Sequence, residues 1–371
     1  MPSTDASPEL RYDDYMATSH RPGFDGLRGL GFLLVITAHV PSVRLFDYLQ
    51  GWSAVWIFLV MSGYLVTMLA MREEKRAGRV AYGPFLVRRF FRIVPSYWAA
   101  ILIYWLACYS LPPLHDDYAA FMVRLPSYLA FVPEYADTDS FSIFTHSWTV
   151  GVELKFYLLF PPVAFLMIGT ANGRFAATAI AAALFTAQGA FPALFGAQGS
   201  FIAEAYCAVL AGAMLAFALE RLRGYAFVAR LTRVPAAVPL ALIVGLFALF
   251  RYGAQFTLFR YGAQFTLLAA VATYLLAYTI VRPAAMSRVL TWAPLAYLGQ
   301  RSYGAYLLHF LALRIGYMLF GDDSASAGLL AACFCLVLTV PAAELLYRAV
   351  ERPGTDYARQ LLARMRPVAV S

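Results

Sequence analysis

Phe24-Asp25-Gly26-Leu27-Arg28-Gly29-Leu30-Gly31-Phe32-Leu33-Leu34-Val35-Ile36-Thr37-Ala38-His39 is the stretch whose reading decides the fold. It is an apolar run with an arginine near its start and a histidine at its far end. In a helix, eleven residues at about 100° each close nearly three turns, so Arg28 and His39 share a face, roughly 16 Å apart along the axis. With its neighbours the run reaches the ~20 residues that a bilayer core demands. Ionisable groups in such a span are costly and mark a candidate functional site. A plainer reading stands beside it, with Arg28 as a flanking cation and His39 as the cap of a span.

The rest of the chain decides that this is a membrane helix. Of 371 residues, 61% are hydrophobic and only 13% charged, at a mean hydropathy of +0.64. Soluble chains carry about 25% charged residues. The composition therefore predicts an all-α, polytopic transmembrane helical bundle. Apolar segments of spanning length fall at about 25–43, 51–71, 93–111, 149–169, 174–192, 201–220, 235–251, 264–281, 297–320 and 326–349. An even number of spans, about ten, puts both termini on one side. With that side cytoplasmic, the basic residues crowd the inner loops, and the outer ones hold only Arg44, Arg124, Arg251 and Arg260. This satisfies the positive-inside rule. The net charge of +8 is thus an orientation signal, and no nucleic-acid partner is expected.

One membrane domain over 24–353 is expected, between cytoplasmic tails at 1–23 and 354–371. The first tail lacks the layout of a signal peptide and reads as poorly ordered. The outer loop at about 112–147 is acidic and turn-rich, with Asp116, Asp117, Pro126, Glu134 and Asp137. It either covers a site or serves as a linker. Cys108, Cys207, Cys333 and Cys335 lie in apolar stretches with no metal-ligand company, and no metal is expected. The nonapeptide from Leu249 to Thr257 recurs from Leu258 to Thr266, a local duplication too short to be a solenoid repeat.

Four further stretches carry polar groups. Ser62-Gly63-Tyr64 in the second span predicts close helix packing. In Val87-Arg88-Arg89-Phe90-Phe91-Arg92-Ile93-Val94-Pro95-Ser96-Tyr97-Trp98, Arg89 and Arg92 share a helix face. They are either an anchor on anionic lipid or a bidentate clamp for phosphate. Glu153, in Trp148-Thr149-Val150-Gly151-Val152-Glu153-Leu154-Lys155-Phe156-Tyr157, sits toward the outer end of its span, as His39 does. A carboxylate beside an imidazole fixes its tautomer and raises its basicity, the arrangement of a general base and its orienter. Glu153 could instead pair with Lys155. Ser302, Tyr306 and His309 fall on one helical face at steps of four and three. They either line a polar substrate channel, with Trp148, or bond helix to helix.

Taken in order, these pieces resemble one family, the bacterial integral-membrane acyltransferases of acyltransferase family 3, and the resemblance implies a multi-pass protein of the bacterial cytoplasmic (inner) membrane. The resemblance rests on Arg28-x10-His39, Ser62-Gly63-Tyr64, Arg89-x-x-Arg92-Ile93-x-Pro95-x-Tyr97, Trp148-x4-Glu153-x-x-Phe156-Tyr157, Ser302-Tyr303-x-x-Tyr306-x-x-His309 and Glu351-x-Pro353. It covers about 24–353. It implies a bundle of ten membrane helices that moves an acyl group, commonly acetyl from acetyl-CoA, to a hydroxyl of a surface carbohydrate such as O-antigen or exopolysaccharide, including lipid-linked acceptors. The residues it marks are Arg28, His39, Arg89, Arg92 and Glu153. Two positions depart from it: Gly151 stands where relatives often carry Ser, and Lys155 where Glu or Gln is common. Some relatives carry an added extra-cytoplasmic esterase-type domain. This sequence runs eighteen residues past Pro353, so none is expected here. Other relatives acylate macrolides inside the cell.

The expected chemistry has the donor's phosphates on Arg89, Arg92 and Arg28, with His39, oriented by Glu153, taking the acceptor hydroxyl's proton. Acyl relay through His39 is an alternative. An intracellular small-molecule, macrolide or lipid acceptor and, in another class, a proton-coupled transporter are the rival readings.

Overall fold

The computed structural model of the protein describes residues 9–18, 21–136, 142–253 and 264–365. The tandem repeat lies mostly outside them. The described elements are helices. In chain order they are α1 (Tyr12–Ala17), α2 (Pro22–Ala38), α3 (Arg44–Leu49), α4 (Ala54–Ala77), α5 (Tyr82–Ser110), α6 (His115–Leu129), α7 (Trp148–Pro161, continued as a π-helix over Pro162–Met167) and α8 (Ala171–Ala190). There follow α9 (Pro192–Leu219), α10 (Leu222–Leu231), α11 (Ala237–Gly253), α12 (Gln264–Val281), α13 (Pro283–Leu290), α14 (Ala293–Gln300), α15 (Ser302–Phe320), α16 (Ala325–Leu346), a π-turn over Tyr347–Glu351, and α17 (Arg352–Arg364).

All ten apolar segments are helical, and seven helical stretches are long and apolar enough to cross a membrane. Three fall short of that measure for different reasons. α2 has 17 residues, α8 is alanine-rich and carries Asn172, Arg174 and Gln188, and the apolar part of α11 spans Ala237–Leu249. The chain divides into two compact units, residues 1–76 with 163–300 and residues 77–162 with 301–371.

In the first unit α8 and α9 form a hairpin, α2 packs on α14, and α4 crosses α9. The α4–α9 crossing explains Ser62-Gly63. A Cβ on Gly63 would overlap the Val209 carbonyl, and one on Gly212 would overlap that of Val60, so two glycines seat each backbone against the other.

The polar N-terminus differs from the disordered tail expected of it. α1 buries Tyr15, and the Leu10 N–H donates to the Val281 carbonyl at 2.9 Å. Glu220, its carboxylate fully buried where α9 ends, accepts from Arg72 Nε at 3.0 Å, Lys75 Nζ at 2.9 Å and the Tyr15 hydroxyl at 3.0 Å. Arg21 and Arg72 both stack over the Tyr15 ring. Glu9 takes Arg233 and Arg282 at 3.0 and 3.3 Å. One charge network therefore gathers the ends of α4, α9 and α12 with residues 9–18. Burying these cations is tolerable only because each has a carboxylate, a carbonyl or an aromatic face.

In the second unit α15 and α16 form a hairpin and α5 packs on α6 and α17. The outer segment, expected as loop, is largely the helix α6. Its Asp116 and Asp117 lie in the first turn, where the helix dipole favours them, and Asp117 also takes Arg314 at 3.3 Å. The terminal segment expected as a tail is mostly α17, joined to α16 through the π-turn.

Candidate active site

The second unit brings seven of the nine candidate residues onto α5, α7 and α15. Along α7 and the turn before it, His146, Thr149, Glu153 and Tyr157 recur at steps of three, four and four, one helical face. The Tyr157 hydroxyl donates to Glu153 Oε2 at 3.1 Å. Arg89 of α5 lies over the ring of Tyr157 at 5.3 Å and over that of Phe85 at 5.6 Å. It makes no ion pair among the described residues. Arg92, one turn on, is exposed and likewise has no ion pair among them. Arg89, Tyr157 and Glu153 thus form one line from a cation held by aromatic faces to a half-buried carboxylate. A guanidinium so held, with no protein carboxylate on it, is suited to an incoming anion.

The α15 stripe belongs to the same seam. The Tyr306 hydroxyl donates to the His146 carbonyl at 2.7 Å and accepts from Thr149 at 3.1 Å. His146 Nε2 lies 3.1 Å from the Leu307 carbonyl and His309 Nδ1 lies 2.6 Å from that of Tyr306. A carbonyl cannot donate, so each of these nitrogens carries a proton, which fixes both tautomers. The two rings pack at 4.9 Å, and His309 is fully buried. Tyr306 bonds its helix to the turn before α7 and to Thr149, whereas His309 bonds within α15 and meets His146 only by ring packing. Ser302 is buried at the start of α15, and Trp148 is half-buried at the start of α7. His146 and Tyr157 received no role from sequence, although the spacing along α7 carried the same signal as that along α15.

In the first unit His39 is the C-cap of α2, half-buried, with its N–H on the Ile36 carbonyl at 3.0 Å. Arg28 lies 3.5 Å from Asp25, whose other oxygen accepts from Gln300 at 3.3 Å. Arg28 and His39 therefore belong to one unit, and Glu153, Arg89 and Arg92 to the other. Among the described residues no three His, Cys, Asp or Glu side chains come together as a metal would need.

Gly151 and Lys155, the two departures from the family pattern, form a single device. Lys155 does not pair with Glu153. Its Nζ donates to Glu134 Oε1 at 2.5 Å, to the Phe131 carbonyl at 2.6 Å and to that of Gly151 at 3.2 Å. A Cβ on residue 151 would run into the Glu134 carboxylate, so glycine leaves the room that the pair occupies. Phe131 sits at φ 57°, where a non-glycine residue is strained, and Lys155 holds its carbonyl. Burial pushes the Glu134 carboxyl up, and the Lys155 ammonium pulls it back. Lys155→Met strands that carboxyl, so it is expected to cost about 1–3 kcal/mol of stability, with Glu134→Leu/Lys155→Met costing less than the single change. Thermal unfolding of both variants in detergent checks this order.

These features define an all-helical protein, with seven helical stretches long and apolar enough to cross a membrane, in which Arg89 adjoins a polar interior seam. The sequence comparisons place it further. Residues 21–348 match the acyltransferase-3 family, described as an acyltransferase domain, and the chain belongs to that family. It is similar to "Putative O-acetyltransferase SAS0844" of Staphylococcus aureus (25% identical, 92% of this chain, 58% of the relative). It is also similar to "Putative peptidoglycan O-acetyltransferase YrhL" of Bacillus subtilis (24%, 91%, 56%) and to "Peptidoglycan O-acetyltransferase OatA" of Listeria monocytogenes (23%, 90%, 55%). The chain thus spans somewhat over half the length of these relatives. No solved structure matches it.

Proposed function

We propose that the protein is a membrane O-acetyltransferase that moves acetyl from acetyl-CoA to a hydroxyl of a cell-envelope glycan. Peptidoglycan is the first acceptor to test, because two of the relatives carry it in their names. The observation that carries the reading is the line Arg89–Tyr157–Glu153, a cation without a protein carboxylate at one end and a hydrogen-bonded carboxylate at the other.

In this reading about ten helices span the bilayer with both termini cytoplasmic. The network around Glu220 supports that orientation, since it gathers cations and residues 9–18 at common helix ends. Arg89 and Arg92 take the donor's phosphates, a role for which Arg28 is the third candidate. His39 takes the acceptor hydroxyl's proton, and Glu153 is the carboxylate that the family pattern pairs with it. The hydroxyl oxygen forms the new C–O bond as the thioester C–S bond breaks, and the proton passes from His39 to the departing thiolate. Tyr306 and His309 hold α15 on the turn before α7, keeping Glu153 in place, while Trp148 and Ser302 line the approach.

The test uses purified protein and labelled acetyl-CoA. Arg89→Ala is expected to raise the KM for acetyl-CoA roughly 10- to 100-fold, the worth of charged hydrogen bonds to phosphate, with the acceptor's KM little changed. An unchanged donor KM removes Arg89 from the donor site.

A further inference from the structure

One buried acid in the second unit has no role in this account. Glu351 closes the π-turn between α16 and α17, a distortion that recurs at functional sites. It is only 9% exposed, and its Oε1 has no hydrogen-bond partner among the described residues. Its surroundings are built to keep it there. Oε1 lies over Gly304 in the first turn of α15, where a Cβ would come to 3.3 Å, so the residue sits near a positive helix end. The nearby Arg301 is already spent on Glu344 at 2.6 Å and on the Tyr347 ring at 4.4 Å. Arg92 is near enough for its charge to act on Glu351, yet the two form no ion pair among the described residues.

The start of α17 fixes this acid to the arginine helix. Gly354 lies against the Phe91 carbonyl, Tyr357 packs on Phe91 at 5.1 Å, and the Tyr303 hydroxyl donates to the Ile93 carbonyl at 2.9 Å. Glu351 therefore stands beside the stretch of α5 that carries Arg89 and Arg92. Arg92, with no ion pair among the described residues, lies close to a buried carboxylate oxygen without a hydrogen-bond partner among them, and Arg89 stands one turn away on α5. A single ligand that brings anionic groups and an N–H satisfies both. A lone phosphate could meet the acid only through a P–O–H, which the adjoining guanidinium groups disfavour by holding phosphate in its ionised form.

We propose that Glu351 is a third donor-binding group, whose carboxylate accepts a hydrogen bond from an amide N–H of the pantetheine arm of acyl-CoA while Arg89 and Arg92 hold its phosphates. The proposal rests on the reading that acyl-CoA binds along α5. Glu351 then selects for the arm and the arginines for the nucleotide. An unmet buried acceptor is costly, so donors lacking the amide are disfavoured.

Two fragments of the donor separate these roles. Adenosine 3′,5′-bisphosphate carries phosphates only, and S-acetylpantetheine carries the arm only. Glu351→Ala is expected to raise the KM for acetyl-CoA about 10-fold or more and to abolish turnover of S-acetylpantetheine, while inhibition by the bisphosphate stays within about 2-fold of the parent. Arg92→Ala is expected to weaken the bisphosphate and spare the arm. Glu351→Gln, which keeps the shape and one acceptor oxygen, is expected to recover most of the S-acetylpantetheine turnover, and it stands in should the alanine variant fail to fold. Unchanged kinetics in both Glu351 variants overturn the proposal. So does loss of bisphosphate inhibition with the arm unaffected, which would mean that Glu351 acts only through Arg92. If the bisphosphate inhibits neither the parent nor Arg92→Ala, the donor site itself is misplaced, which is a separate failure.

Discussion

His39→Ala is expected to lower the turnover of acetyl transfer by about 10²- to 10⁴-fold, the range contributed by a positioned general base. The KM for acetyl-CoA should stay within about 2-fold, because His39 and the arginines that hold the donor are different groups. The variant should still fold, since His39 caps α2 through its backbone N–H and an alanine keeps that bond; thermal unfolding checks this. The readout is label moved from acetyl-CoA to a glycan under single-turnover conditions. A second variant sharpens it: Glu153→Gln keeps the hydrogen bond from Tyr157 but loses the charge that would orient an imidazolium. It should fall in the same direction by less. Full turnover in His39→Ala would remove the histidine from the chemistry.

The largest expected effect on stability lies elsewhere, at Glu220. Its carboxylate is fully buried and answers Arg72, Lys75 and Tyr15 together. Glu220→Ala leaves the Arg72 guanidinium, itself 8% exposed, without its carboxylate. Breaking a buried pair from one side costs about 3–5 kcal/mol, because the remaining charge stays desolvated. Lys75→Ala tests the contrast, for its side chain is 45% exposed and the same carboxylate keeps Arg72. It should cost under about 1 kcal/mol. Thermal unfolding in detergent reads both. Equal, small losses would mean that the network is solvated and that residues 9–18 are only loosely held.

What the sequence told in advance follows from the range of each interaction. Every apolar segment became a helix, because apolar content and length act locally and a bilayer leaves few alternatives. The glycine at 63 announced a close crossing, though not that α9 would answer with Gly212. The stripe at Ser302, Tyr306 and His309 was legible from helical period alone. Its partners were not, since His146 reaches Leu307 across 161 positions. The outer segment read as loop because Pro126 and its acids look like breakers, yet Pro126 fits in α6 and Asp117 finds Arg314. Tyr15 is the clearest failure. A short polar tail gave no periodicity to read, and its burial depends on Glu220, some two hundred residues away. Lys155 looked like a partner for Glu153 by proximity in sequence, whereas the fold supplies Glu134.

The proposed function moves acetyl from acetyl-CoA to an envelope glycan, and with a cytoplasmic donor and a glycan outside the cytoplasm it predicts transfer across the membrane. The direct measurement uses proteoliposomes with glycan fragments of peptidoglycan sealed inside and labelled acetyl-CoA added outside. The enclosed glycan is expected to gain base-labile label with the parent protein and not with His39→Ala. Label that never reaches the glycan, or that reaches it equally well with His39→Ala, would contradict it.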